Sequence, residues 1–159
     1  MEKTKEQLIA EIRYAIRLTQ RTARLYRRVQ TTGTFLTIVG GSAALASFYA
    51  SNADLLRSWV LPVGALLFAL AGAILISVRP ADKAAANEAD MKRYQSLMVK
   101  AQIMNVNELK VAIEEAHNGD APEIEKLRVI AYNDVVEEIN RRDQLIPLSK
   151  FAIMLRALA

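Results

Sequence analysis

The chain has 159 residues, 52% of them apolar but only 6% aromatic, with a formal net charge of +4. Much of the apolar content sits in one block in the first half, an asymmetry that points to a membrane class, because a soluble domain would spread it through amphipathic segments. The absence of cysteine excludes disulfides, thiolate chemistry and cysteine-based zinc sites, the lone His117 excludes a multi-histidine metal site, and 6 Gly with 4 Pro disfavour turn-rich β folds.

Residues 4–28 have helical periodicity. Arg13, Arg17, Arg21, Arg24 and Arg28 advance by 4, 4, 3 and 4. That spacing stacks them within about an 80° arc. Leu8, Ile12, Ala15, Leu18, Leu25, Tyr26 and Val29 take the broad remaining face. The stripe reads either as a solvated face touching anionic headgroups or as a face for an acidic protein or phosphate-bearing partner. Basic residues reach the edge of the apolar block, unlike a cleavable signal peptide. Nothing from Val29 to Thr32 breaks a helix, so the basic helix is expected to continue into the next segment.

Residues 29–53 contain no charge, and as a helix they reach roughly 37 Å. Residues 58–78 are again uncharged, reaching roughly 31 Å against a hydrocarbon core of about 30 Å. Two such runs predict two transmembrane helices. Only Asp54, Leu55, Leu56 and Arg57 separate them, so they are expected to be antiparallel neighbours. Pro62 falls in the first turn of the second, where a missing N–H costs little. Lysines and arginines flank the outer ends of the pair, while the link carries only Arg57. The positive-inside rule then places both termini in the cytoplasm. This charge distribution reads as topogenic and lipid-facing, not as a nucleic-acid footprint.

The first run carries Gln30, Thr34, Thr37, Gly41, Ala44, Ser47 and Ser51 at steps of three or four. They share about a 140° arc, into which Phe48 intrudes. Small residues let membrane helices approach closely, so this is a packing face, or it lines a polar path in an oligomer. The second run is apolar nearly throughout. No charge lies within either run, which disfavours a proton relay or charge-based transport site.

Arg79-Pro80 predicts a kink or restart. Residues 81–104 then read as a helix, with Met91, Tyr94, Leu97, Met98 and Ala101 on one face. A further helix over 107–117 is expected, with Asn107 as N-cap and His117, Asn118 and Gly119 as its stop. Asp120 and Glu123 resemble a capping box with Pro122 in the first turn, opening a helix over 121–141. Its apolar side would hold Ile124, Leu127, Ile130 or Ala131, Val135 and Ile139. After Pro147, Leu148, Phe151, Leu155 and Leu158 form a short amphipathic tail, able to pack on neighbouring helices or lie in a membrane interface.

Motifs for chemistry are missing. His117 reads as a helix-end residue compatible with the dipole. Glu114-Glu115 and Glu137-Glu138 are adjacent on helices and do not face one another, so neither is an acid/base dyad. No P-loop, dinucleotide loop, nucleophile elbow or HExxH occurs. The expectation is no enzyme, no cofactor and no metal.

The layout nonetheless resembles a known family. A basic helix enters a small-residue-rich span, and a very short link, a greasy second span and a charged helical region follow. Within that region stand Tyr94-Gln-Ser-Leu97, the segment EIEKLRVIAYNDV at 123–135 with Tyr132-Asn133, and PLSKF at 147–151 with Pro147-Leu148. This is similar to the SLATT family, the SMODS and SLOG-associating two-transmembrane effectors of bacteria. The resemblance implies a homo-oligomeric pore-forming effector of the bacterial inner membrane, acting in antiviral defence or abortive infection. It also implies a trigger from a nucleotide-signalling or sensor protein.

The expected fold is all-α. It comprises a cytoplasmic basic helix (1–28), a transmembrane hairpin (29–78) and a cytoplasmic helical region (79–159). Expected partners are membrane lipids, further copies of the chain and a sensor protein, with no nucleic acid. The alternative function is a non-conducting membrane scaffold that recruits a partner through the arginine stripe or the C-terminal helices. A phage-type holin is a third reading, disfavoured by the extensive C-terminal region.

Overall fold

A computed structural model describes residues 3–49 and 61–159, with side chains over 3–42 and 62–159. Among the described residues every regular element is helical. The order is α1 (Lys5–Tyr49), α2 (Leu61–Val78), α3 (Pro80–Lys100), α4 (Val106–Asn118), α5 (Arg128–Glu138) and α6 (Lys150–Leu158). Short 3-10 turns at Glu125–Leu127 and Arg142–Gln144 precede α5 and α6. The link around Asp54 and Arg57, the start of the second apolar run and Ser51 lie outside the described residues.

The chain forms two compact units, one from Met1–Leu25 with Lys83–Ala159, the other from Tyr26–Asp82. As expected from the lack of a breaker, α1 is a single helix that contributes to both.

In the first unit, α1 is the spine of two apolar clusters. Leu8, Ile12 and Ala15 pack with Tyr94, Leu97 and Ala101 of the α3 side and with Leu109, Ile113 and Ala116 of α4. Higher on the same helix, Leu18 packs with Leu127, Ile130, Ala131, Leu155 and Ala159. Lys5 Nζ closes the α3–α4 corner by donating to the Met104 carbonyl at 2.8 Å and the Gln102 carbonyl at 3.2 Å.

Local signals hold at some ends and shift at others. Arg79 adopts φ 48°, so the chain steps out of α2 and restarts at Pro80, whose ring disfavours right-handed helical geometry in the residue before it. The cap of α4 is Asn105, not Asn107. Asn105 accepts from Glu108 N at 2.9 Å while Glu108 accepts from Asn105 N at 3.0 Å, a reciprocal capping box two residues upstream. Gly119 follows α4 but has φ −106°, so left-handed geometry is not why glycine stands there. A Cβ would lie 2.5 Å from Arg93 Nη1, which crosses directly over it.

The helix expected over 121–141 is shorter. Residues 121–124 are irregular, and α5 starts only at Arg128, because Asp120 is drawn away from capping by Tyr94. α5 ends at Glu138 because Asn140 takes φ 58°. Arg141 N then reaches the Val136 carbonyl at 3.0 Å and Asn140 N the Glu137 carbonyl at 3.1 Å, a Schellman arrangement that asparagine tolerates. Ile139, expected inside, is exposed beyond this stop. Ser149 caps α6, accepting from Ala152 N at 3.1 Å.

In the second unit, the distal part of α1 packs along α2. A Cβ on Gly33 would meet Leu75, one on Gly40 would meet Gly64 and Phe68, and one on Gly41 would meet Phe68. Rising numbers on α1 oppose falling numbers on α2, so the two segments are antiparallel.

Candidate functional site

The seam between these segments is built by absence of side chains. At Gly40 an added Cβ would stand 2.6 Å from the Gly64 carbonyl oxygen, so the two backbones nearly touch. Close approach of this kind gives apolar helices their dispersion contacts. Thr37 Oγ1 donates to the Gly33 carbonyl at 2.8 Å, which satisfies the hydroxyl within its own helix.

The predicted polar face of the first run divides on this seam. Thr37 and Gly41 are half-buried, and the close contact runs along Gly33 and Gly40, outside the predicted set. Thr34 is exposed, and its hydroxyl accepts from Gln30 Nε2 at 3.3 Å on the half-buried flank. Ala44 and Ser47 lie on α1 with side chains outside the described residues. A signal for Gly33 and Gly40 was present, since they stand seven residues apart, two turns on one face.

Large apolar side chains are exposed on both segments of this unit. Phe35 and Ile38 of α1 and Val63, Leu66, Leu70, Ile74 and Ile76 of α2 are exposed, Ile76 by 77%. The helical stretch that opens at Pro62 is long and apolar enough to cross a membrane, and little of its apolar part is buried inside the structure.

The arginine stripe has partners inside the chain. Arg21 makes a paired contact with Asp134, Nε to Oδ2 at 2.8 Å and Nη2 to Oδ1 at 3.0 Å. Arg17 Nη2 reaches Glu138 Oε2 at 2.9 Å, and Arg13 Nη1 lies 3.7 Å from Glu138 Oε1. The acidic face of α5 therefore receives three of the five stripe residues, and Arg24 and Arg28 are exposed.

A polar cluster that sequence reasoning did not single out organises the α3–α4–α5 corner. Tyr94 is fully buried and donates its hydroxyl to Asp120. Asp90, one turn before it, pairs with Arg93 and accepts from Ala121 N at 2.8 Å. Arg93 also donates to the Ala116 carbonyl at 3.1 Å and the Gly119 carbonyl at 3.3 Å, tying down the carbonyl end of α4. The spacing held a clue. Asn87 and Asp90 fall on the 3–4 register of Tyr94, Leu97 and Ala101, which places two polar residues on the buried face of α3. His117 stacks at a tilt on Tyr94, ring centroids 5.8 Å apart, and is exposed.

Beside this cluster is a cavity of about 500 Å³ lined by Tyr14, Thr19, Asn87, His117, Asp120 and Arg128, among others. Burial, then the hydrogen bond to Asp120 and its charge, push the Tyr94 phenol well above its ordinary range. Burial likewise raises Asp120, aided by Asp90 and opposed by the Tyr94 hydrogen bond, His117 and Arg93. Tyr14 is raised by burial and by Glu123, while the Glu123 hydrogen bond raises Arg128. The cluster is satisfied internally, with no buried side-chain polar atom left unpaired among the described residues. Nor do three or more metal-ligating side chains converge among them. Its arrangement positions backbone and carries no nucleophile–base pair.

No family model matches the chain, and neither a curated protein nor a solved structure matches it.

Proposed function

We propose that the chain is a helical membrane effector whose α1–α2 pair crosses the bacterial inner membrane as a hairpin with both termini cytoplasmic. In this reading further copies assemble around it to open or disrupt the bilayer when a cytoplasmic trigger acts on the first unit. The observation that carries the reading is the outward surface of α2, whose exposed side chains among the described residues are apolar apart from Ser77 and fit hydrocarbon. The exposed Thr34, bonded to Gln30, supports a polar path at the oligomer interface. The SLATT resemblance supports the effector role and a nucleotide-signalling or sensor protein as trigger.

The scaffold reading draws less support. Of the two routes for recruitment, the arginine stripe is partly occupied, since Arg17 and Arg21 are engaged by α5.

The test is ion flux through the full chain reconstituted in liposomes, paired with membrane potential in bacteria expressing it with and without its genomic neighbours. Thr34→Leu should reduce conductance, whereas Thr37→Val, at a satisfied seam position, should leave it nearly intact. No depolarisation under any trigger, with retention of a soluble partner, would replace the effector reading by the scaffold.

A further inference from the structure

The α6 helix presents apolar side chains on two sides. Its inner side, Leu155 with Ala152 and Ala159, packs with Leu18, Leu127, Ile130 and Ala131. It is held there by Arg21 Nη1 donating to the Arg156 carbonyl at 3.1 Å and by Arg156 Nη2 reaching Glu137 Oε2 at 3.0 Å. The outer side is not covered: Phe151, Ile153, Met154 and Leu158 are 54%, 58%, 50% and 42% exposed. At 100° per residue these four spread over about 160° away from the packed face. In the preceding segment Leu145 and Ile146 are exposed as well. Buried Asn133 fixes it by donating Nδ2 to the Ile146 carbonyl at 2.7 Å and accepting from Ile146 N at 3.0 Å. The patch is thus held on a rigid support.

We infer that this outer face of α6 is an interfacial anchor that lies in the headgroup boundary of an anionic bilayer. Charge selects the occupant. Lys150 falls between Ile153 and Met154 on the outer arc and is exposed, as is Arg142 in the preceding segment, while Arg156 is held by Glu137. An exposed lysine set among long apolar side chains matches an anionic lipid surface. A second copy of the same face would instead oppose Lys150 with Lys150. The inference rests on the membrane reading of α2. Two chain crossings, at Leu25–Tyr26 and Asp82–Lys83, tether the unit carrying α6 to the one carrying α2. With α2 in the bilayer, docking of α6 becomes an intramolecular step at high effective concentration.

The chain has no cysteine, so single labels can be placed cleanly. Met154→Cys and, separately, Ile74→Cys are labelled with an environment-sensitive fluorophore in the full chain. Each is reconstituted in phosphatidylcholine vesicles with and without phosphatidylglycerol, and quenching by spin-labelled lipids is read. The anchor predicts quenching at both positions in anionic vesicles, with the signal at 154 falling in neutral ones. Lys150→Ala should lower the docked-to-undocked ratio about fivefold, the factor for one basic residue at an anionic surface. Quenching at 74 with none at 154 overturns the anchor and leaves the span intact. Absence at both positions overturns the span as well. A label at 154 that is shielded from water yet unquenched, and released on dilution of the protein in the membrane, assigns the face to a second copy and overturns the inference.

Discussion

Replacing Gly40 by alanine is a direct probe of the α1–α2 seam. The new Cβ would lie 2.6 Å from the Gly64 carbonyl oxygen and 3.0 Å from the Phe68 amide nitrogen. Both are backbone atoms of α2, so no rotamer change relieves the clash and the helices must separate. Overpacking of this kind costs about 1–3 kcal/mol, and alanine's better helix propensity offsets about 1 kcal/mol of it. The net loss is up to about 2 kcal/mol. Neighbouring glycines supply controls. At Gly41 the nearest atom is a Phe68 ring carbon at 3.5 Å, an ordinary contact, and at Gly72 nothing lies within 4 Å, so both substitutions should be neutral or stabilising. Gly33→Ala should fall between, because its clash at 2.8 Å is with the movable end of Leu75. Thermal melts by far-ultraviolet circular dichroism in detergent, with amide hydrogen exchange along α2, would rank the four. A Gly40→Ala variant as stable as Gly41→Ala, with α2 amides equally protected, refutes the reasoning.

Asp120 predicts a pH signature: its folded-state pKa is raised above the ordinary 3.8. Its contribution to stability is therefore fully present below the unfolded value and lost as pH rises through the folded one. Wild type minus Asp120→Asn unfolding free energy should accordingly fall as pH rises from the acid side, and a difference that grows with pH would contradict the assignment. Arg21→Ala removes a two-bond pair whose side chains are 17% and 12% exposed, and should cost about 2–3 kcal/mol, since a largely buried Asp134 loses its main partner. Arg13→Ala, at an exposed contact of 3.7 Å, should cost under about 1 kcal/mol in the same denaturant titration.

Much of the first unit was legible because helical periodicity is a local property. Leu8, Ile12, Ala15 and Leu18 recur at the helical interval, and all four are buried. The restart at Pro80 follows from proline's own sterics. The capping signals were less secure, since several residues compete for each end. Asn105 and Asn107 both suit an N-cap, and the reciprocal bond to Glu108 selects the first. Asp120 has the spacing of a cap, yet the buried hydroxyl of Tyr94 needs an acceptor and takes it. An unpaired buried hydroxyl costs about 1–3 kcal/mol, comparable to the cap it displaces.

By itself the sequence determined that the described residues are helical, that the apolar run over 58–78 holds one of the helices, and that basic residues are stacked along α1. Each depends on neighbours three or four residues away, whose geometry is set by the helix itself. Only the tertiary structure decided what those faces meet. Arg17 and Arg21 find Glu138 and Asp134, partners 121 and 113 residues distant. The close seam falls on Gly33 and Gly40 and leaves Thr34 outward. The physical reason is the same in both cases: a face advertises its chemistry locally, but which face another element covers depends on backbone approach and charge placement set by the whole fold.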